Sequence, residues 1–226
     1  MTIWDPLIQL SQRIEKIFDD HFEITDLNGK EFFENWKDTV WQSKYVRKCH
    51  LKTIDNRETQ KLWLMHINIF PHEHLNFPIL GFDIVAGPNK ITGSFFDFSP
   101  VTDEKPEHPY MQYMRDTVKD LEWSKPRELP EWATEIFSDS MIAAGNLRTQ
   151  EEIEQLSSTC LHLVEYYVSN MKHNLYTTNP IHIKEAHNKY CRNQKLNPHL
   201  HRSILSMGIS EEDKDKYVNE VLFQEI

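Results

Sequence analysis

Three titratable side chains lie in short segments with the alternating pattern of β-strands, and together they could hold and relay protons. They are His50, His66 and Asp83. Because successive strand residues point to opposite faces of a sheet, each segment has one apolar face and one face that a polar group interrupts. Grouping and burial shift the pKa values of such side chains toward neutral pH, which predicts acid/base chemistry.

Asp83 needs the most explanation, because it stands between Phe82 and Ile84 in a strand that we expect beneath a layer of helices. An ionised carboxylate buried there costs on the order of several kcal/mol unless it is paired or protonated. A hydrogen bond from a neighbouring histidine that only fixes the strand register would also explain it. The presence of His66 and His50 in adjacent strands favours a catalytic role.

The segments that position these side chains lie between about residues 36 and 100, where runs rich in Val, Ile, Phe and Trp alternate with turn signals. Connections this short join antiparallel neighbours, so we expect an antiparallel meander. Apolar residues at a spacing near 3.6 predict helices over 5–22, 107–121, 149–173, 180–195 and 210–223, and 141–144 is a candidate further strand. Thr149 followed by Glu152 predicts a capping box. The expected fold is a single α/β domain over residues 1–226, a three-layer α/β/α sandwich with a central antiparallel β-sheet.

The composition excludes several classes of function. The 226 residues include 25 Lys and Arg against 35 Asp and Glu, a net charge of −10, which argues against nucleic acid or an anionic membrane as the main partner. With 6 glycines and no P-loop, GxSxG or HExxH motif, the common nucleotide-binding and hydrolytic sites are not indicated.

No apolar run approaches the roughly 20 residues of a membrane span, and the N-terminus does not resemble a signal peptide, so we expect an intracellular protein. The three cysteines form no CxxC pair and are expected to be reduced thiols.

Two histidine pairs, His72 with His74 and His199 with His201, have a spacing that could suggest a metal site. Both pairs lie in predicted loops or at a helix start, without a cysteine or third ligand at a usable spacing. We therefore expect solvated histidines and no metal. Of the 12 histidines, only His50 and His66 are assigned to chemistry, and the others to the surface and the fold.

The segments that carry the three titratable residues resemble the ferredoxin-dependent bilin reductases, and within that family the phycocyanobilin-forming branch. The similarity is clearest in Arg-Lys-Cys-His-Leu at 47–51, Met-His-Ile-Asn-Ile-Phe-Pro at 65–71, Pro-Ile-Leu-Gly-Phe-Asp-Ile-Val-Ala-Gly-Pro at 78–88 and Asp-Phe-Ser-Pro at 97–100. It continues in Arg-Glu-Leu-Pro-Glu-Trp at 127–132, Glu-Ile-Phe-Ser at 135–138 and Val-Leu-Phe at 221–223.

The resemblance implies a protein that holds biliverdin, an open-chain tetrapyrrole, between the sheet and the C-terminal helices. It implies no metal and no bound organic cofactor, with electrons supplied singly by a reduced [2Fe–2S] ferredoxin. Matched position by position, Asp83 corresponds to the aspartate that protonates the bilin, and His66 and His50 to the histidines of its relay. Such an enzyme is expected to act as a monomer in the cytoplasm of a cyanobacterium or of a phage-infected host.

Further positions are carried over for substrate binding. Arg127 matches a position near the substrate propionates, and Asn197 matches a polar residue on the helix above the ring system. Thr92 and Lys52 are further substrate-binding candidates. Since an asparagine cannot supply a proton as a carboxyl group would, the donor to the A-ring stays open.

Lys52 departs from the resemblance. In the phycocyanobilin-forming enzymes the residue two after the His50 position is a glutamate associated with protonating the vinyl group of the D-ring, whereas Lys52 offers an ammonium on a flexible stem. We therefore expect the D-ring vinyl to stay intact, with reduction of the 15,16 methine bridge and then of the A-ring diene giving phycoerythrobilin through 15,16-dihydrobiliverdin. Phycocyanobilin formation, a two-electron enzyme that stops at dihydrobiliverdin, and a bilin- or haem-binding carrier without redox activity are the open alternatives.

The acidic chain becomes locally basic between residues 180 and 202, where Glu185 is the only acidic residue. A solvated helix face is one explanation, and a docking site for an acidic ferredoxin is the other, since a chain of net charge −10 would otherwise repel it. The cations of this predicted docking site are Lys184, Lys189, Arg192, Lys195 and Arg202, with Lys44, Arg47 and Lys48 as an extension and His182, His187, His199 and His201 among them.

Overall fold

A seven-stranded antiparallel sheet forms the centre of the protein in the computed structural model, which describes residues 2–25, 32–102, 108–172 and 179–226. The strands lie side by side in the order in which they occur in the chain. The predicted meander and the further strand near 141–144 are therefore confirmed. The strands are β1 (Glu23–Ile24), β2 (Trp36–Gln42), β3 (Val46–Asn56), β4 (Leu62–Pro71), β5 (Ile79–Ala86), β6 (Ile91–Ser99) and β7 (Ile142–Ala144).

Helices precede this sheet in the chain, lie between β6 and β7, and follow β7. They are α1 (Trp4–His21), α2 (Pro109–Val118), α3 (Glu131–Thr134), α4 (Gln150–Asn170), α5 (Pro180–Lys195), α6 (Pro198–Ser206) and α7 (Glu211–Lys216), which continues into a π-helical segment, Tyr217–Leu222. The capping box at the start of α4 is present, with the Thr149 hydroxyl accepting from the Glu152 N–H at 3.2 Å. No helix in the described part of the chain is long and apolar enough to cross a membrane.

The helix predictions differ from the structure in three places. The predicted helix over 107–121 is shorter, and the predicted ends at 107 and 173 lie outside the described residues. The single helical turn α3 is too short to show a period in the sequence. Helix α6 was not predicted because it begins shortly after α5, at Pro198, whose ring cannot continue a helix but suits the first turn of a new one.

The two faces of the sheet pack against different helices. The apolar face lies against α1, α2 and α4 in one hydrophobic core, to which Met65, Ile67 and Phe82 belong. The opposite face lies against α5, α6 and the C-terminal segment in a second core, to which Tyr190 and Phe223 belong. The predicted α/β/α sandwich is confirmed, and the polar side chains that interrupt the strands lie on the side of the second core.

Asp97, near the end of β6, is fully buried and holds the loop that precedes β7. Its carboxylate accepts hydrogen bonds from the N–H of Ser138 at 3.0 Å, the hydroxyl of Ser138 at 2.5 Å and the hydroxyl of Ser99 at 2.7 Å. Burial raises the pKa of Asp97 to about 6, although these hydrogen bonds oppose the shift. The folded protein therefore binds this proton more tightly than the unfolded chain does.

In the variant Asp97→Asn, the free energy of unfolding should no longer show the pH dependence that Asp97 causes. Because the pKa of Asp97 is about 6 when folded and 3.8 for the free side chain, this group lowers the free energy of unfolding as pH rises from 3.8 to 6, by at most about 3 kcal/mol. The introduced amide can keep all three partners, with its oxygen toward the Ser138 N–H and its nitrogen donating to the Ser138 hydroxyl. Urea unfolding at pH 4.5 and pH 7 measures the free energy of unfolding of both proteins. The value for the variant should rise relative to that of the parent protein between pH 4.5 and pH 7. The same difference in free energy at both pH values would contradict this.

Candidate active site

Strand register brings the predicted proton-handling residues into two neighbouring rows on one face of the sheet. In the first row, Lys52 on β3 pairs with His66 on β4, which pairs with Asp83 on β5. In the second row, His50 pairs with Asn68, which pairs with Gly81. Because side chains of paired strand residues lie on the same face, His50, His66 and Asp83 converge as predicted.

His66 is held between Asp83 and Asn68. Its Nδ1 atom lies 2.5 Å from Asp83 Oδ1, and its Nε2 atom lies 2.7 Å from the side-chain nitrogen of Asn68. Because the Asn68 amide can only donate from that nitrogen, Nε2 is the acceptor and the ring proton lies on Nδ1, facing the carboxylate. Asn68 thus sets the tautomer in which His66 donates to Asp83.

The expectation that Asp83 is buried is wrong. Its side chain keeps 40% of its surface exposed, whereas that of His66 is only 7% exposed. Water can therefore solvate the ionised carboxylate, and the cost that burial would impose does not arise. The exposed oxygen is instead accessible to a ligand on this face of the sheet.

His50 is fully buried and forms a second histidine–aspartate pair. Its Nε2 atom is hydrogen-bonded to the carboxylate of Asp38, and its ring centroid lies 6.1 Å from that of His66. Burial lowers the pKa of His50 to about 4, although Asp38 opposes the shift. The expectation of a pKa near neutrality is wrong for this residue, whose ring is uncharged at pH 7.

Asp38, on β2, is a residue of this face that the sequence patterns did not single out. Its buried carboxylate accepts from His50, from the hydroxyl of Tyr217 and from the indole N–H of Trp36 at 3.4 Å. Burial opposes its ionisation, but its interactions with His50, Tyr217 and Lys52 outweigh this and lower the pKa. The sequence does contain a signal for Asp38. It stands between Trp36 and Val40 among the alternate residues that share one face of β2, and Asp83 occupies a similar position on β5.

Lys52 is not a mobile ammonium, as the sequence suggested, but a buried one. Only 3% of the residue is exposed, and its Nζ atom lies 5.3 Å from the ring centroid of Trp36 and 5.5 Å from that of Tyr217. Burial lowers its pKa, while the carboxylates of Asp38 and Asp83 act in the opposite direction. The two aromatic rings contact the ammonium, and the two carboxylates favour its charged form.

The C-terminal part of the chain covers one side of this face. The hydroxyl of Tyr190 on α5 lies over Gly81, where an added Cβ would be 2.6 Å away, so the close approach requires glycine. The ring of Phe223 meets that of His66 edge to face at 5.9 Å. Lys48 donates to the carbonyl oxygens of Val221 and Leu222, which ties the π-helical segment to β3.

Of the residues assigned to substrate binding, Lys52 belongs to the first row, whereas Arg127, Thr92 and Asn197 are separate from both rows. Arg127 and Thr92 do lie together, because the guanidinium donates to the Thr92 carbonyl, but the Thr92 hydroxyl donates to Val85 O at 2.9 Å. Asn197 does not lie on a helix as expected. It caps the N-terminus of α6, accepting from the His199 N–H at 3.0 Å, because Pro198 ends one helix and begins the next.

The predicted docking site is partly neutralised by acidic residues from elsewhere in the chain. Lys189 lies 3.4 Å from Glu135, and Glu225 pairs with both Arg192, at 2.9 Å, and Lys195, at 3.0 Å. Lys184 and Arg202 are exposed, the latter donating to the Pro198 carbonyl.

Two further expectations for this basic region are wrong. His187 is fully buried on the inner side of α5, one turn after the buried Ile183. Lys48 is 7% exposed, with its ammonium on backbone carbonyls, and does not extend the docking site. In both cases the side chain faces the second core, which charge composition alone does not reveal.

The described residues contain no group of three or more His, Cys, Asp or Glu side chains placed to hold a metal ion. What this face of the sheet does contain is two histidine–aspartate pairs beside a buried ammonium. Such an arrangement can store and deliver protons to a flat ligand laid over the exposed carboxylate. It offers no nucleophile paired with a base.

Comparisons with known proteins identify relatives of the chain. The family described as ferredoxin-dependent bilin reductase matches residues 11–224. The chain is 29% identical over 189 residues to a phycocyanobilin:ferredoxin oxidoreductase of Synechococcus sp. (strain CC9605), covering 79% of this chain and 71% of that one. It is also 29% identical over 207 residues to a protein of the same name from Prochlorococcus marinus (strain MIT 9313), covering 88% and 74%.

Two solved structures share the fold. A structure of PcyX superposes with a TM-score of 0.71 at 22% identity, covering 97% of this chain and 99% of that one. A crystal structure of phytochromobilin synthase from tomato in complex with biliverdin superposes with a TM-score of 0.72 at 15% identity, covering 97% and 82%. At these identities the likeness concerns the arrangement of sheet and helices.

Proposed function

The chain belongs to the ferredoxin-dependent bilin reductases, and on that premise we propose that it reduces biliverdin IXα with electrons taken singly from a reduced [2Fe–2S] ferredoxin. The observation that carries the proposal is the exposed carboxylate of Asp83 with His66 directly behind it, 2.5 Å away. The biliverdin bound to the structurally similar tomato protein supports the choice of substrate.

Each electron that enters a conjugated tetrapyrrole places negative charge on its lactam and pyrrole system, and a proton must neutralise that charge. A flat apolar ligand over Asp83 would displace the water that now solvates it and favour the uncharged carboxylic acid. Asp83 then gives its proton to the reduced bilin, and the Nδ1–H of His66 donates to the carboxylate that remains. A second electron and a second proton complete one two-electron reduction.

The product we propose is phycoerythrobilin, formed through 15,16-dihydrobiliverdin by two such reductions. Lys52 supports this choice. Its ammonium, which lies against the rings of Trp36 and Tyr217, stands where a carboxyl group would be expected for protonation of the D-ring vinyl. Phycocyanobilin formation requires another donor near the D-ring. An enzyme that stops after the first two electrons would accumulate 15,16-dihydrobiliverdin.

Anaerobic spectroscopy separates an enzyme from a carrier. Biliverdin mixed with the protein and photoreduced ferredoxin should lose its absorbance band through a transient radical signal and give a new bilin spectrum. A carrier would show a shifted biliverdin spectrum that stays constant when ferredoxin is reduced. Omission of ferredoxin from the same mixture is the control.

Reversal of the two exposed cations Lys184 and Arg202 to Glu should weaken the reaction with ferredoxin. Of the predicted docking residues on α5 and α6, these two have no acidic partner in the described part of the chain, so their charge is available to an acidic protein. The KM for ferredoxin at low salt should rise by about tenfold, and added salt should reduce the difference from the parent protein.

The matched control for this double variant is Lys119→Glu with Lys172→Glu, which makes the same charge change on the opposite helical layer. An equal rise in the KM in both double variants would show only the effect of net charge. A rate that does not depend on ionic strength would contradict the docking site.

A further inference from the structure

Asp38 is a buried carboxylate to which neither the strand pattern nor the family resemblance assigns a role. It is 4% exposed and pairs in register with Lys52. Its two oxygens have different partners. Oδ1 is bonded to His50 Nε2, whereas Oδ2 accepts from the hydroxyl of Tyr217 and from the indole of Trp36.

This arrangement decides which nitrogen of His50 carries the ring proton. A neutral imidazole has one N–H, and the nitrogen that faces a carboxylate must be the one that carries it. The proton therefore lies on Nε2, and Nδ1 keeps a lone pair. Nδ1 is buried and has no hydrogen-bond partner among the described residues. The corresponding acceptor of His66, its Nε2 atom, is instead hydrogen-bonded to the Asn68 amide.

We propose that Asp38 is a positioning residue that holds His50 as its Nε2–H tautomer, so that Nδ1 can accept a proton during bilin reduction. The inference rests on the proposed function and deepens it, since it states which atom of the second histidine takes part. His50 takes up one proton from water at Nδ1, Asp38 stabilises the resulting imidazolium, and His50 returns to neutral when it passes that proton on to the reduced bilin. Asp38 itself keeps its charge throughout.

The variant Asp38→Asn should reverse the tautomer while it preserves the shape of the site. The indole N–H of Trp36 can only donate, so the oxygen of the introduced amide must replace Oδ2 and its NH2 group must replace Oδ1. His50 Nε2 then faces a donor and must become the acceptor, which moves the ring proton to Nδ1. The atom that accepted protons in the parent protein is thereby blocked.

Nitrogen-15 NMR of the histidine side chains, on the full chain at pH 7 without substrate, tests the assignment directly. The parent protein should show His50 protonated at Nε2 alone, and Asp38→Asn should show it protonated at Nδ1. Tyr217→Phe keeps the Asp38–His50 contact and should retain the Nε2–H form. A parent His50 protonated at Nδ1 or at both nitrogens would overturn the proposal, whether or not the Asp38 variant folds.

Single-turnover kinetics test whether the tautomer matters. With pre-reduced ferredoxin, decay of the bilin radical should be at least about 10²-fold slower in Asp38→Asn, with the Kd for biliverdin unchanged. Asp55→Asn, an exposed carboxylate on β3 paired with Arg57, should react like the parent protein. Unchanged radical decay in an Asp38 variant with a reversed tautomer would overturn the proposal. A parent protein that binds but never reduces biliverdin would refute the proposed function, and the NMR result would still decide the role of Asp38.

Discussion

The variant Asp83→Asn is expected to bind biliverdin and to stall after the first electron, with turnover reduced by about 10²–10⁴-fold. An amide cannot give up a proton, so the radical should accumulate and decay slowly. The fold should not suffer, because the oxygen of the introduced amide can still accept from His66 Nδ1 and the side chain at this position is 40% exposed. Anaerobic stopped-flow absorbance with electron paramagnetic resonance would follow the radical directly.

This variant also separates catalysis from strand register. If Asp83 serves only to accept a hydrogen bond that aligns β4 with β5, then an asparagine at this position does the same and turnover stays normal. Asp55→Asn is the matched control, since it makes the same isosteric change on a strand residue outside both rows. Normal turnover by Asp83→Asn would refute the role of Asp83 as the proton donor.

A change of product is expected from Lys52→Glu. The new carboxyl group would lie between Asp38 and His66 in the first row, in place of the ammonium that the rings of Trp36 and Tyr217 now hold. With the like charge of Asp38 directly opposite, one of the two carboxyl groups is favoured in its protonated form. The introduced glutamate should therefore act as an acid and restore some reduction of the D-ring vinyl, giving phycocyanobilin.

The control Lys52→Gln removes the ammonium without adding an acid, and its product should keep the D-ring vinyl. Liquid chromatography of the bilins after complete anaerobic turnover distinguishes the ethyl-bearing from the vinyl-bearing product. If Lys52→Glu gives no phycocyanobilin, Lys52 does not determine the product. If Lys52→Gln gives as much as Lys52→Glu, the ammonium itself suppresses vinyl reduction and no new donor is required.

The sheet and its polar face could be predicted from the sequence because both are local properties. The strands follow one another with short connections, so their order in the chain is their order in the sheet. The alternation of side chains then places His50, His66 and Asp83 on one face without any knowledge of the helices. A single register error would have broken this convergence.

Properties that depend on distant parts of the chain could not be predicted. The exposure of Asp83 depends on which part of the face the C-terminal helices cover, and the burial of Lys52 depends on Tyr217, far along the chain. The charges of the predicted docking site are balanced by Glu135 and Glu225, neither of which belongs to α5. Hydrophobic periodicity carries no information about such partners.

Asp38 escaped prediction for a different reason. The strand pattern that identified Asp83 also marks Asp38, but none of the family motifs covers β2, and the predicted relay was built around histidines of the later strands. Its importance emerges only from its hydrogen bonds to His50 and Tyr217. Both residues share one recognisable feature in the sequence: each is an acidic residue on a strand face that otherwise carries mainly apolar side chains.

Product analysis of the unmodified protein is the most direct measurement of its function. Biliverdin IXα, the protein and an excess of reduced ferredoxin are incubated without oxygen, and the bilins are separated by chromatography at intervals. We predict that 15,16-dihydrobiliverdin appears first and is then replaced by phycoerythrobilin, with the D-ring vinyl intact. Ethyl-bearing phycocyanobilin at completion, or biliverdin that remains unchanged throughout, would contradict the prediction.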